Sequence, residues 1–311
     1  MKQRILAVGR IEVELAMYFP YLPSSGRTVR GEEITRFPGG SGLNTAVALS
    51  KLGAEATLSG RIGKDPNGDR VLRFLERQSV DRCYVGKDSS LPTGNLARLL
   101  ENGGRFRNIR FEGAGAKLST DDVEFAFNYG PDGAIICADI PDDALLAAVY
   151  CGEKDDIPML LDASMERDTP LPLKDLWPVE IFVIDGDTAG RMTGEDPSTI
   201  EKCLTCCMSL AGMIRSHYYL LKLGNRGNFL YDGMYHHFIP AVEGENNGCF
   251  AAPRYYTAAL FTKFLTSGDI KQAVKVAAAA EAAAKARVGG AAELPEAQDL
   301  KRFLREQGEP T

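Results

Sequence analysis

Pro38-Gly39-Gly40-Ser41-Gly42-Leu43-Asn44 runs straight into Thr45-Ala46-Val47-Ala48-Leu49-Ser50-Lys51-Leu52-Gly53, and that join decides the fold. The first half is a glycine-rich turn. The second is a run of small and apolar residues closed by a glycine, the composition of a short buried helix and its stop. Upstream, residues 2–9 form a short apolar run ending in glycine, which reads as a buried strand. Downstream, 56–60 is another such strand and 69–78 another helix. Strand, turn, helix, strand is a βαβ unit, and it implies a parallel sheet.

The same alternation continues to the C-terminus. Strands are predicted at 134–137 and 159–162, separated by a helix after Pro141, and a further strand at 180–184 leads into a helix over 185–193. Residues 218–222 read as a strand, the turn 222–227 sends it back, and 228–231 resumes as a strand. The alanine-rich stretch 270–287 is helical, with Gly289-Gly290 as its stop, and 298–307 is a last surface helix. Two segments depart from the pattern. Residues 10–37 alternate like strands, with Pro20, Pro23, Ser24, Ser25 and Gly26 at the turns, and 93–111 alternate around Asn102-Gly103-Gly104, a hairpin signal. There is no internal repeat and no linker, so 1–311 reads as a single domain.

With 311 residues, 44% of them hydrophobic, the chain can bury a large core. A net charge of -6 and a pI near 5.3 argue against nucleic acid as a partner. No apolar run approaches membrane-spanning length. Lys2 and Arg4 precede only four apolar residues, Ile5-Leu6-Ala7-Val8, too few for a signal-peptide core. Seven cysteines cannot all pair within the chain, which points to a reducing, cytoplasmic setting. Cys203, Cys206 and Cys207 fall near one helical face. Zinc would want a fourth ligand, and the only histidines are His217, His236 and His237, so the cluster reads as core thiols.

Side chains able to do chemistry sit where open α/β sheets gather ligands, at the carboxyl ends of strands. Asp139, Asp162 and Asp185 are so placed, able to hold metal, sugar hydroxyls or water. Glu12 and Glu14 lie on one face of their strand. The stretch 247–256 is a loop feeding a helix N-terminus, a natural anion site.

Two stretches resemble signatures of the PfkB (ribokinase-like) carbohydrate kinases. The Gly-Gly-x-Gly-x-Asn piece at 39–44, with Gly60, Gly63, Asp65 and Gly68 after it, is similar to the family's first signature. The second signature, Asp-Thr-Thr-Gly-Ala-Gly-Asp-x-Phe before a small-residue helix, falls on 248–256. Gly248, Cys249 and Phe250 take the places of Asp-Thr-Thr; Ala251, Ala252 and Pro253 those of Gly-Ala-Gly; Arg254 that of the last Asp; and Tyr256 that of Phe. The resemblance covers nearly the whole chain in the family's order. It implies a doubly wound, mostly parallel α/β sheet flanked by helices, with a small β-sheet lid formed by 10–37 and 93–112. It implies ATP-dependent phosphoryl transfer to a sugar or nucleoside hydroxyl, with ATP and Mg2+ as cofactors. It also implies a small polyol, sugar or nucleoside ligand, and a homodimer paired through the lid.

Site residues follow by position. Glu14, the Gly39 and Gly40 amides and Asn44 fall where the family holds sugar hydroxyls, and Lys222, Gly224 and Gly227 where it lines the nucleotide. The family's magnesium and phosphate motif, Asn-x-x-Glu, falls on Asp185 and Thr188, with Asp187 beside them. Its base falls on Arg254 and its anion hole on Ala251, Ala252 and Pro253. The frame is kept and the chemistry is not. A guanidinium stays protonated and cannot accept a hydroxyl proton. Proline offers no N–H to a phosphate, and alanine resists the positive φ that glycine adopts freely. The expectation is a kinase homologue with impaired phosphoryl transfer. The alternatives are an active kinase with Asp185 or Asp187 as substitute base, and a non-catalytic binding or dimeric regulatory protein. A cation at a helix N-terminus is unfavourable, so Arg254 is expected to face solvent or to pair with an anion such as Glu243, Glu245 or a bound acidic ligand.

Overall fold

The computed structural model describes residues 2–102, 105–164, 167 and 169–308. The Gly103-Gly104 part of the expected hairpin turn lies outside the described residues. In chain order the strands are β1 (Arg4–Val8), β2 (Glu12–Phe19), β3 (Glu33–Gly39), β4 (Glu55–Gly63), β5 (Val85–Asp88), β6 (Gly94–Glu101), β7 (Phe106–Phe111), β8 (Gly133–Cys137), β9 (Met159–Asp162), β10 (Val179–Asp185), β11 (Ser216–Lys222), β12 (Asn228–Tyr231) and β13 (His236–Ile239). The helices are α1 (Ser41–Lys51), α2 (Pro66–Arg77), α3 (Thr120–Phe127), α4 (Asp142–Lys154), α5 (Gly186–Thr193), α6 (Ile200–Ala211), α7 (Ala252–Ser267), α8 (Ile270–Lys285) and α9 (Ala297–Glu306). Among the described residues no helix is long and apolar enough to cross a membrane.

The large sheet has nine strands in the order β13-β12-β11-β10-β9-β8-β1-β4-β5. All its pairings are parallel except β11 with β12 and β12 with β13. Alternation along its strands splits the core in two. Ile5 and Ala7 face one way and pack with Leu43 and Val47 of α1, Val71 of α2, Leu260 of α7, Ala277 of α8 and Leu300 of α9. Leu6 and Val8 face the other way, toward Val123 of α3, Leu145 of α4, Ala189 of α5 and Cys207 of α6. Cys203, Cys206 and Cys207 all belong to this second core. Helix α2 begins earlier than the apolar pattern suggested. Asp65 caps it by accepting from Gly68 N at 2.7 Å, and Pro66 supplies a first-turn residue with no N–H to satisfy.

A smaller sheet has four strands in the order β3-β2-β6-β7. Its central pair, β2 and β6, is parallel, while β3 and β7 add antiparallel edges. The register puts Glu12, Glu14, Arg98 and Arg110 on one face. The opposite face carries Ile34, Ile109 and Phe111, all exposed. Phe37 of β3 stacks on Phe250, in the loop before α7, with ring centroids 5.8 Å apart. Arg98 of β6 lies over the same ring at 4.9 Å. These contacts fasten the smaller sheet to the helix that carries Arg254.

Candidate functional site

Between the smaller sheet and the carboxyl ends of the large one lies a cavity of about 900 Å³, lined by Glu12, Glu14, Gly40, Asn44, Asp139 and Arg254 among others. Glu14, expected near the sugar, is fully buried and held on three sides. Its Oε1 accepts from Gly40 N at 3.0 Å and Asn44 Nδ2 at 3.4 Å, and its Oε2 accepts from Arg98 Nε at 2.7 Å. Gly40 reaches this position with φ of 100°, where a side chain would be strained and its Cβ would stand 2.6 Å from Arg10 O. Gly39 passes beneath the carboxylate, so close that a Cβ there would come 2.2 Å from Glu14 Oε1. The glycine pair thus clears the space in which the Glu14 carboxylate is buried.

Glu12 is held far less. Arg110 Nε lies 3.0 Å from its Oε1, close enough for attraction, yet the N–H is misdirected and neither atom has a hydrogen-bond partner. Oε2 of Glu12 also has none. Burial pushes the Glu12 pKa up from 4.5 to about 7, against the opposing pull of Arg110. Asp139 accepts from Ser41 Oγ at 2.6 Å through Oδ1, leaving Oδ2 without a hydrogen bond 3.6 Å from Arg10 Nε. Asn44 Oδ1 is likewise unpartnered. Several buried acceptors therefore face one cavity with no hydrogen-bond donor among the described residues. Of the strand-end carboxylates, Asp139 and Asp162 are not solvated, each being only 1% exposed.

A second cavity, about 780 Å³, opens on the other side of the α7 N-terminus and is lined by Asp185, Lys222, Gly224, Gly227, Glu243 and Glu281 among others. Lys222 Nζ is 3.5 Å from Glu281 Oε1 and 4.1 Å from the centroid of the Tyr256 ring. Burial depresses its pKa; Glu281 opposes this and nearby Arg254 adds to it. Asp185 Oδ1 is occupied in capping α5, accepting from Thr188 N at 2.8 Å. Asp187 is exposed, and Thr188 Oγ1 accepts from Arg191 at 2.9 Å; neither lines either cavity.

Ser164, Pro253 and Arg254 line both cavities, so Arg254 stands where they meet. It does not face solvent, being 8% exposed, and its partner is neither Glu243 nor Glu245. Its Nη1 donates to Asp162 Oδ2 at the end of β9, and Thr257 Oγ1 donates to the same oxygen at 2.7 Å. Burial is the largest influence and works against the charge, but Asp162, helped by Cys137, Asp139 and Glu281, more than offsets it, and the Arg254 pKa ends above its ordinary value. The cation at a helix N-terminus is therefore answered by a carboxylate brought from another strand. The anion-hole position has no free curl. Ala251 is at φ −90°, Ala252 N donates to Cys249 O at 3.3 Å, Arg254 N donates to Ala251 O at 3.0 Å, and Pro253 has no N–H. Ala251 and Ala252 are themselves buried and line neither cavity.

The structure thus brings Glu14, Gly40, Asn44 and Arg254 to one cavity, and Asp185, Lys222, Gly224 and Gly227 to the other. Arg10 and Arg110 were not anticipated as cavity residues. The alternation that put Glu12 and Glu14 on one face would have placed Arg98 and Arg110 on that same face, had the register of the smaller sheet been known.

Comparison with known proteins agrees with this architecture. A family model described as pfkB family carbohydrate kinase matches residues 2–297. Ribokinase of Bacillus subtilis is 23% identical over 310 residues, covering 97% of this chain and 99% of that one. Deoxyribokinase of Salmonella typhi is 22% identical over 306 residues, 96% of this chain and 98% of that one. The structure of Arabidopsis thaliana ribokinase complexed with ribose and ATP superposes with a TM-score of 0.87 at 23% identity, covering 98% of this chain and 99% of that one. With the family model spanning almost all of the sequence and the fold agreeing from end to end, this chain belongs to the pfkB family of carbohydrate kinases.

Proposed function

We propose that this chain binds a small polyol, sugar or nucleoside in the cavity beneath the smaller sheet and has lost most of the family's phosphoryl transfer. One observation carries the reading. The place where the family pattern calls for a proton acceptor holds Arg254, buried where the two cavities meet and tied to Asp162. A positioned base contributes about 10²–10⁴-fold, and one anion-hole donor about 10²–10³. The ligand class is supported by the unpartnered acceptors of Glu12, Asn44 and Asp139, which suit hydroxyl donors.

Nucleotide binding is the weaker half of the proposal. ATP is supported by the Gly224 and Gly227 turn beside the second cavity and by the solved Arabidopsis complex. Glu243, Glu245 and Glu281 on that cavity oppose a polyphosphate. Among the described residues no group of three or more His, Cys, Asp or Glu forms a metal pocket. Magnesium would therefore enter with the nucleotide, held chiefly by phosphate oxygens and water. Pairing of two copies is supported by the exposed Ile34, Ile109 and Phe111 on the outer face of the smaller sheet. A cytoplasmic setting is supported by seven cysteines that are all free thiols.

A second reading, an active kinase with a substitute base, is favoured by Glu12, whose pKa of about 7 suits general-base work at neutral pH. It is better placed than Asp185, which lines only the nucleotide-side cavity, or the exposed Asp187. ADP release with ATP, magnesium and a panel of ribose, deoxyribose and nucleosides decides between them. The expected rate is background. Pro253→Gly with Arg254→Asp and Asp162→Asn should raise it, the last change preventing two carboxylates from meeting. Sugar-dependent release by the native chain that vanishes in Glu12→Gln would put the second reading in place of the first.

A further inference from the structure

The reading of a sugar-binding chain without its base leaves the ligand's chemistry open, and the ligand class drawn from the cavity rests on that reading. The cavity beneath the smaller sheet presents Glu12 Oε1 and Oε2, Asn44 Oδ1 and Asp139 Oδ2 without hydrogen-bond partners. These residues are 1%, 5% and 1% exposed. Buried acceptors of this kind call for donors, and more than one hydroxyl is needed to meet them.

The junction of the cavities asks for the opposite. Among the described residues, Arg254 donates a single side-chain hydrogen bond, from Nη1 to Asp162, and its Nε and Nη2 meet no acceptor among them. Ser164 Oγ, buried and unpartnered, lines the same junction. Lys222 is a second buried cation close enough to feel Arg254. Among the described residues each pairs with one carboxylate, Asp162 or Glu281. A guanidinium with an open edge is a planar fork matched to an oxyanion. A neutral sugar would leave that edge unmet, and a bare anion would leave the acceptors unmet.

We propose that the cavity takes a polyol bearing a terminal oxyanion, a phosphate monoester or a carboxylate, with its hydroxyls on Glu12, Asn44 and Asp139 and its oxyanion on Arg254 and Ser164. Such a ligand has the shape of what a sugar kinase releases, or of a sugar acid. The replacement of the base by arginine then converts the point of reaction into a point of recognition.

Titration calorimetry on the full chain tests this with ribose, ribose 5-phosphate, ribonate and inorganic phosphate as the probes. Ribose 5-phosphate or ribonate should bind at least about tenfold more tightly than ribose, as expected for charge-assisted bonds to a buried arginine. Whichever of the two is tighter identifies the oxyanion. Inorganic phosphate should bind more weakly than either. Arg254→Gln combined with Asp162→Asn, which avoids a stranded carboxylate, should bring the anionic sugars down to the level of ribose. If that double variant does not fold, the panel on the native chain decides alone. Ribose binding as tightly as both anionic sugars, no binding of either anionic sugar, or an unchanged preference in the folded double variant would each overturn the proposal. ADP release with ribose would instead count against the loss of the base, so the two failures read differently.

Discussion

Replacing Glu12 with glutamine, and following stability against pH, probes the electrostatics of the cavity directly. Glu12 is 1% exposed, and burial raises its pKa from 4.5 to about 7; Arg110 opposes the shift, while Asp139 and Glu14 reinforce it. Between those two values the native chain keeps a proton that the unfolded chain has already released. Stability therefore falls as pH rises through that window. The contribution is complete below pH 4.5 and gone once the pH passes about 7. The gap of 7 − 4.5, at about 1.4 kcal/mol for each pH unit, amounts to about 3 kcal/mol. Urea unfolding of the native chain and of Glu12→Gln, from about pH 5 to about pH 9, measures the difference with other titrations cancelled. The native chain should lose most of that amount relative to the variant on the way up and level off above neutrality. A difference that stays flat across the range would mean that Arg110 keeps the carboxylate charged throughout, and the reasoning would fail. The same measurement bears on function. A polyol hydroxyl donating to Glu12 favours the charged form, so binding near neutral pH should release a proton, seen as a calorimetric heat that changes with the buffer.

Two further perturbations follow from the geometry. Asp162→Ala leaves the Arg254 charge buried without its partner and should cost about 3–5 kcal/mol, whereas Asp162→Asn with Arg254→Gln should cost much less; chemical denaturation of the two variants makes the comparison. Gly39→Ala drives a methyl to within 2.2 Å of Glu14 Oε1, so Glu14 must leave the Gly40 and Asn44 contacts; sugar-induced stabilisation in a thermal melt should shrink or disappear.

What could be read from the sequence was local. The βαβ unit around Gly39 and Gly40, the alternation of strand and helix and the alanine-rich α8 all declare themselves within a few turns of chain, and the structure has them. The site depends on partners far apart in sequence. Arg254 and Asp162 are separated by 92 residues, Ser41 and Asp139 by 98, and Arg98 and Glu14 by 84. Periodicity is blind to such pairings because it reports which face a side chain takes and not what stands across from it. Hence the sequence points Arg254 to the surface, to Glu243 or Glu245, or to a bound acidic ligand, while the carboxylate that answers it comes from the end of β9. The start of α2 was missed for a smaller reason: a cap and a proline carry the first turn, ahead of any apolar repeat.

The bond between Arg254 and Asp162 also ties the fate of one position to the other. A lone Arg254→Asp change would bury two like charges against each other. Placing a carboxylate at 254 therefore requires a changed Asp162 as well, and that change by itself strands the arginine. Each single move is uphill, so the pair works as a latch: the two positions change together or not at all.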